Sequence, residues 1–238
     1  MRWIRTAWLL IIALPVTAFY ASWAVLASWA GIRYAPQNVY DRIMIGWSRI
    51  LLQANGVRVT AEGLEQLEQA RSYVFIANHT SIVDIWALLV AIPNSFRYVA
   101  KRELARVPVF GRAMSSAGNI FIDRANLVSS FSSYDAAAAM LSNGRSAMVF
   151  AEGTRSRDGR LLPFKKGPFV LAIRARVPLV PLCICGAFER TPKGVLNVRP
   201  GEVMVRIGAP IETDGMTYAD RDQLSATARA AIEAMAVR

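Results

Sequence analysis

The sequence predicts an α/β fold, with helices covering a β-sheet behind a hydrophobic, membrane-anchoring N-terminal helical motif. Three observations carry that expectation. From Val57 onward, short runs rich in β-branched and aromatic residues alternate with helix-like segments, the pattern of a layered α/β domain. The 238 residues suffice for one such domain and a short appendage. Finally, the stretch from Ala7 to Gly31 contains no charged residue, although the chain as a whole carries a formal charge of +11.

The elements follow in order. As a helix at ~1.5 Å per residue, Ala7 to Gly31 reaches roughly 37 Å, enough to cross a hydrocarbon core. Arg2, Arg5 and Arg33 flank it, and Trp3, Trp8, Tyr20, Trp23, Trp29 and Tyr34 suit the headgroup level. It is longer than the core of a signal peptide. Pro15 leaves two readings open, a spanning helix or a bent, half-inserted helix pair. Next, Val39 to Gln53 places Ile43, Trp47, Ile50 and Leu51 at spacings of three and four, with Arg42 and Arg49 between them. That is an amphipathic helix suited either to a membrane surface or to packing on the domain.

Seven strands are expected beyond it: Val57 to Thr60, Tyr73 to Ala77, Arg97 to Ala100, Asn119 to Ile122, Ala147 to Ala151, Leu179 to Ile184 and Val203 to Ile207. Helices are expected at Ile82 to Ala91, Glu103 to Ser116, Val128 to Ser142, Gly167 to Arg174 and Tyr218 to Val237. There is no internal repeat or long linker. The chain divides into residues 1–55, a membrane-associated motif, and residues 56–238, an α/β domain.

Composition narrows the function. More than half of the residues are hydrophobic, and 28 Lys plus Arg stand against 17 Asp plus Glu. A basic balance suits polyanions, and the hydrophobic excess favours anionic lipid over nucleic acid. A nucleic-acid binder would leave Ala7 to Gly31 without a purpose. The single histidine, His79, excludes a zinc site built from several imidazoles. Cys183 and Cys185, the two cysteines, would have Cα atoms roughly 6.5 Å apart on a strand, near the upper limit for a bridge. No disulfide framework is expected, in keeping with a cytoplasmic location.

Four segments have residue types suited to chemistry. The first is Asn78-His79-Thr80-Ser81-Ile82-Val83-Asp84, directly after an apolar strand. A neutral imidazole can take the proton from an attacking alcohol, and a carboxylate on its other nitrogen fixes the tautomer. Residues five apart do not share a helix face, so the pair works only with His79 in a loop and Asp84 in the first helical turn. Ser81-x-x-Asp84 is equally a capping-box pattern. The second segment is Gly118-Asn119-Ile120-Phe121-Ile122-Asp123-Arg124, and the third is Glu152-Gly153-Thr154-Arg155-Ser156. Each follows a strand with an Arg, and the third adds a Gly and hydroxyls, parts suited to holding a phosphate. Lys101, Lys165 and Lys166 add positive charge. The fourth, Val177-Pro178-Leu179-Val180-Pro181, is apolar and suits either an acyl channel or a plain buried strand.

In order and spacing these four segments resemble the motifs of the glycerolipid acyltransferase family, across residues 78–181. Val99-Ala100-Lys101 and Phe164-Lys165-Lys166-Gly167 are also similar to it. The resemblance implies a glycerol-3-phosphate acyltransferase-like fold with a mixed sheet. It implies transfer of a fatty acyl group from a thioester of coenzyme A or acyl carrier protein to a lysophospholipid hydroxyl, with 1-acyl-glycerol-3-phosphate the first acceptor. Other lysolipids and glycerol-3-phosphate stand as alternative acceptors; a non-catalytic lipid-binding protein is a reading outside the family. By the resemblance, His79 is the general base and Asp84 its orienting partner. Asn78, Lys101, Arg124, Glu152, Gly153, Thr154 and Arg155 are the substrate-binding set. No metal or prosthetic group is implied, and the site is expected to open on the cytoplasmic face of a bacterial-type inner or plasma membrane. A thiolate leaving group has a conjugate pKa of about 8.5 and departs with little acid assistance. No Ser or Cys stands out as a covalent nucleophile, so direct transfer through a ternary complex is expected.

Overall fold

The computed structural model describes residues 2–122, 137–141 and 144–237. Two helices open the chain, α1 (Arg2–Trp29) and α2 (Val39–Ala54). The strands are β1 (Val57–Glu62), β2 (Val74–Ala77), β3 (Phe96–Lys101), β4 (Ile120–Ile122), β5 (Ser146–Phe150), β6 (Leu179–Cys185) and β7 (Gly201–Ile207). Between and after them come α3 (Val83–Ala91), α4 (Phe110–Ser116), α5 (Gly167–Ala175), α6 (Ala187–Arg190) and α7 (Arg221–Ala236). Every strand expected from the sequence is present within a residue or two of its expected ends.

One seven-stranded sheet has the order β1-β7-β6-β2-β5-β3-β4. The strands β6, β2, β5, β3 and β4 run parallel to one another. β7 pairs antiparallel with β6 and parallel with β1, so the sheet is mixed. The four residues of β2 are all buried, as a central strand covered on both faces requires. One apolar layer, on the side of α3, takes Phe75, Ala77, Met148, Leu182 and Ile184; the other takes Val74, Ile76, Val149, Leu179 and Cys183 together with Phe169 of α5 and Leu224, Ala228 and Ile232 of α7. Alternate residues of β2 and β6 thus supply opposite layers.

α1 and α2 form an antiparallel hairpin. Near the start of α1, Trp8 Nε1 donates to the carbonyl of Ala54 at the end of α2, 2.8 Å away; further along, Trp47 Nε1 donates to Thr17 Oγ1 at 3.0 Å. Small residues permit close approach at the other end: Ala21, Ala24 and Ala27 of α1 pack with Tyr40 and Ile43 of α2 and with Ala113 of α4. α1 is one unbroken helix through Pro15. It is long and apolar enough to cross a membrane by length and composition, with 22% of its most apolar window buried. Trp3, Ile4, Ile11, Leu14, Phe19, Trp23 and Trp29 lie exposed along it.

The hairpin is fastened to the domain through a buried pair. Arg97 Nη1 of β3 stands 2.5 Å from Asp41 Oδ1 of α2, with side-chain exposures of 3% and 13%. Asp41 Oδ2 also accepts from Ser95 Oγ at 2.7 Å and from the backbone N–H of Gln37 at 2.6 Å. The Arg97 guanidinium lies over the Tyr34 ring, 3.8 Å from its centroid.

Two expected helices are corrected. Glu103 to Ser116 is a 3-10 turn, Arg102–Arg106, followed by α4. Pro108 lacks the N–H a continuous helix needs and holds Val107 extended, at φ −69° and ψ 121°. Tyr218 to Val237 likewise begins with a 3-10 turn, Tyr218–Asp220, before α7. Of Val128 to Ser142, residues 137–140 are helical, and most of the rest lies outside the described residues.

Candidate active site

The ends of β2, β5, β3 and β4 lie side by side on one edge of the sheet, and the candidate residues follow them. In a largely parallel sheet this edge, outside the carboxyl ends of the strands, is where ligands bind. After Ala77 the chain leaves β2 through Asn78, His79 and Thr80, and α3 begins at Val83. His79 is therefore in a loop and Asp84 in the first helical turn, the arrangement the pairing needs.

His79 Nδ1 stands 2.8 Å from Asp84 Oδ2. Asp84 is fully buried, and the His79 side chain is 13% exposed. The same carboxylate oxygen accepts the backbone N–H groups of Thr80 at 2.7 Å and Ser81 at 2.8 Å, while Ser81 Oγ accepts from Val83 N–H at 3.1 Å. Capping and histidine pairing, rival readings of the sequence, are thus performed together by one oxygen. A carboxylate can only accept, so it selects the tautomer with the proton on Nδ1 and leaves the Nε2 lone pair available.

Three adjacent strands supply an aromatic wall. The His79 imidazole stacks on Phe150, the last residue of β5, with centroids 3.7 Å apart and planes 10° from parallel. Tyr98 of β3 stacks behind Phe150 at 6.0 Å and 14°, and its hydroxyl donates to the carbonyl of Ile85 at 2.8 Å. Burial, with Asp84 nearby, pushes that phenol well above its usual range, so it stays a donor. The register pairing Ala77 with Phe150 sets the strand ends level.

The loop after β5 grips the backbone of His79 from both sides. Glu152 Oε1 accepts the His79 N–H at 2.7 Å, and Oε2 accepts the Leu162 N–H at 2.9 Å. The N–H of Ser156 donates to the His79 carbonyl at 2.7 Å. Glu152 is 2% exposed. Desolvation raises its carboxyl above the ordinary value against the pull of its backbone donors. Gly153, at φ 71°, makes the left-handed turn that starts this loop, and its N–H donates to the Phe150 carbonyl at 3.0 Å.

Two members of the expected substrate-binding set have side chains engaged within the fold. The Glu152 carboxylate is buried in the wall, both oxygens taken by backbone N–H groups. Asn78 Nδ2 donates to the Ile184 carbonyl at 2.9 Å, and its Oδ1 accepts the Ile184 N–H at 2.7 Å. Both ends of that amide fasten the His79 loop to β6. Thr154 is exposed and Arg155 partly so. Lys193, from the loop before β7, holds them in place, donating to Thr154 Oγ1 at 2.9 Å and to the Arg155 carbonyl at 3.0 Å. Among the described residues the Arg155 guanidinium has no acidic partner. Lys101 is exposed at the end of β3, level with Ile122 in register. Arg124 lies outside the described residues. Lys166 faces away, 3.2 Å from Asp222 of α7. Among the described residues, no group of three or more His, Cys, Asp or Glu side chains is placed to hold a metal ion.

Phe150, Tyr98 and Lys193 were not singled out from sequence. Phe150 was visible only as one more apolar strand residue, and Lys193 as one more surface cation.

Residues 58–185 match the acyltransferase family model. A 1-acyl-sn-glycerol-3-phosphate acyltransferase of Cocos nucifera is 36% identical over 191 residues, covering 80% of this chain and 60% of that protein. One of Limnanthes douglasii is 32% identical over 208 residues, covering 87% of this chain and 72% of the relative. In three dimensions the chain is similar to the crystal structure of the 1-acyl-sn-glycerophosphate (LPA) acyltransferase PlsC from Thermotoga maritima. The TM-score is 0.79 at 25% identity, over 98% of this chain and 95% of that one. With a family model matching residues 58–185 and relatives above 30% identity along most of its length, this chain belongs to the acyltransferase family.

Proposed function

We propose that this chain transfers a fatty acyl group from a thioester, of coenzyme A or acyl carrier protein, to the sn-2 hydroxyl of 1-acyl-glycerol-3-phosphate, giving phosphatidic acid. The observation that carries the reading is the 2.8 Å contact between His79 Nδ1 and Asp84 Oδ2, in a fold similar to that of the LPA acyltransferase PlsC from Thermotoga maritima. His79 Nε2 takes the proton of the acceptor hydroxyl as its oxygen attacks the thioester carbon. Asp84 holds the ring and stabilises the imidazolium that forms. The tetrahedral intermediate expels a thiolate, which departs without an acid because its conjugate pKa is about 8.5. No resident metal or prosthetic group is needed. Arg155, ordered from behind by Lys193, supplies a guanidinium for the acceptor phosphate together with Lys101, Thr154 and Arg124, and Gly153 lets the backbone approach it. Asn78 and Glu152 serve by positioning His79.

Residues 1–55 act as the membrane part and residues 56–238 as the catalytic part. α1 presents an apolar row outward while α2, bearing Asp41, Arg42 and Arg49, backs it against the domain. A helix with such a partner enters the bilayer by one face, and the site then opens on the cytoplasmic side of a bacterial-type inner or plasma membrane.

Purified protein in detergent, given 1-acyl-glycerol-3-phosphate and labelled acyl-coenzyme A or acyl-carrier protein, is expected to form labelled phosphatidic acid. Turnover on a different lysolipid alone would move the acceptor assignment. A burst of free thiol without acceptor, leaving acyl label on the protein, would refute direct transfer.

A further inference from the structure

The chain's two cysteines lie on β6, on the sheet face covered by α7. They are free thiols with their sulfurs 3.6 Å apart. Cys183 is 1% exposed, whereas Cys185 is only partly buried. Arg206 of β7, opposite Cys183 in the ladder, brings Nη1 to 3.9 Å from Cys185 Sγ. The neighbouring Cys183 sulfur and the Arg206 guanidinium favour the thiolate at Cys185 and lower its thiol, while that same contact and burial raise the thiol of Cys183. The more accessible sulfur, with the Arg206 guanidinium beside it, is Cys185, which makes it the nucleophile of the pair and Cys183 its buried neighbour.

The residue between them connects this pair to the active site. Ile184 projects into the opposite core layer, and its N–H and carbonyl are the two groups that Asn78 clasps. Asn78 immediately precedes His79. In an extended strand, residues two apart have Cα atoms ~6.5 Å apart, at the upper end of the range a disulfide spans. Closing the bridge brings sulfurs now 3.6 Å apart to about 2.05 Å at a Cα spacing near that limit, which strains β6 at Ile184.

We propose that Cys183 and Cys185 form an oxidation-sensitive dithiol, closed to a disulfide by a peroxide, and that closure unfastens Asn78 from Ile184 and displaces His79. The Cys185 thiolate attacks a peroxide oxygen; an S–O bond forms, the O–O bond breaks, and the leaving oxygen takes up a proton. The Cys183 sulfur then attacks the Cys185 sulfur. An S–S bond forms, the S–O bond breaks, and the departing hydroxide takes the Cys183 proton to become water. Two thiols lose two electrons and two protons, and hydrogen peroxide is reduced to two waters. A disulfide strained in this way is readily reduced, which makes the step reversible by thiols. The effect on turnover rests on the role given to His79 above; the thiol chemistry does not.

The test is to treat the full chain in detergent with hydrogen peroxide, alkylate the remaining thiols and map peptides by mass. Both cysteines are expected to become blocked through a Cys183–Cys185 bond, with faster amide exchange at Ile184 and turnover lower by about 10- to 100-fold. Dithiothreitol restores all three. Cys183→Ala and Cys185→Ala keep their untreated activity and form no bond. Persistence of both free thiols, or sulfinic acid at Cys185 without a bond, overturns the proposal. A bond that leaves Ile184 exchange and turnover unchanged overturns its coupling to the site. A wild type that lacks transfer activity, yet closes the bond and frees the Ile184 amide, supports the switch and overturns only the function proposed above.

Discussion

The His79 imidazole lies flat on the Phe150 ring, 3.7 Å between centroids and 10° from parallel. Asp84 fixes one edge of the imidazole, and Phe150 fixes its plane. The rotation about the Cβ–Cγ bond that a hydrogen bond alone leaves soft is thereby closed off on one side. The ring's π-face also favours the positive charge that His79 acquires on taking a proton.

Phe150→Leu keeps an apolar side chain of similar bulk and removes the flat surface. Turnover is expected to fall about tenfold as the imidazole loses its fixed orientation, with a smaller change in KM for the acyl acceptor. Steady-state kinetics with both substrates varied checks this. A KM effect alone would mean that Phe150 shapes the substrate pocket instead.

Arg97 and Asp41 form a buried pair whose removal leaves an uncompensated charge. Arg97→Met or Asp41→Ala is expected to cost about 3–5 kcal/mol. Because the pair joins α2 to β3, the hairpin should loosen before the sheet does. Denaturant unfolding gives the cost, and limited proteolysis at residues 33–38 reports the loosening.

Burial lifts the Glu152 carboxyl above its ordinary value. A raised folded pKa favours the protonated form in the fold. Its contribution to stability is full below the unfolded value and is lost as pH rises through the folded one. Wild type should therefore lose Tm relative to Glu152→Gln as pH climbs from about 4 toward neutrality. Melting curves of both proteins across that interval decide it; parallel curves would contradict the assignment.

Much of the architecture was legible because it rests on local patterns. β-branched runs such as Val203–Ile207 and the alternation of strands with helices mark the seven strands and the layers. The motif around His79 was legible for the same reason: the loop and the first turn of α3 lie within six residues. Val107-Pro108 carried the signal for a helix break inside Glu103–Ser116, but the flanking apolar pattern outweighed it. What stayed hidden depends on pairing between distant segments. The stack of Phe150 on His79 follows from the register of β2 with β5. Asn78 reads as a motif residue in sequence, and its clasp on Ile184 exists only because β6 lies beside β2. Lys193 gains its place from the path of a loop, which no periodicity marks.

The central claim is that His79 removes the acceptor's proton while Asp84 holds it. The most direct measurement is the rate of phosphatidic acid formation from 1-acyl-glycerol-3-phosphate by wild type, His79→Ala and Asp84→Asn, each checked for an unchanged melting temperature. Loss of the base is expected to lower kcat by about 10²- to 10⁴-fold. Asp84→Asn should lower it to a similar extent by favouring the wrong tautomer. A folded His79→Ala protein that turns over at the wild-type rate would contradict the account.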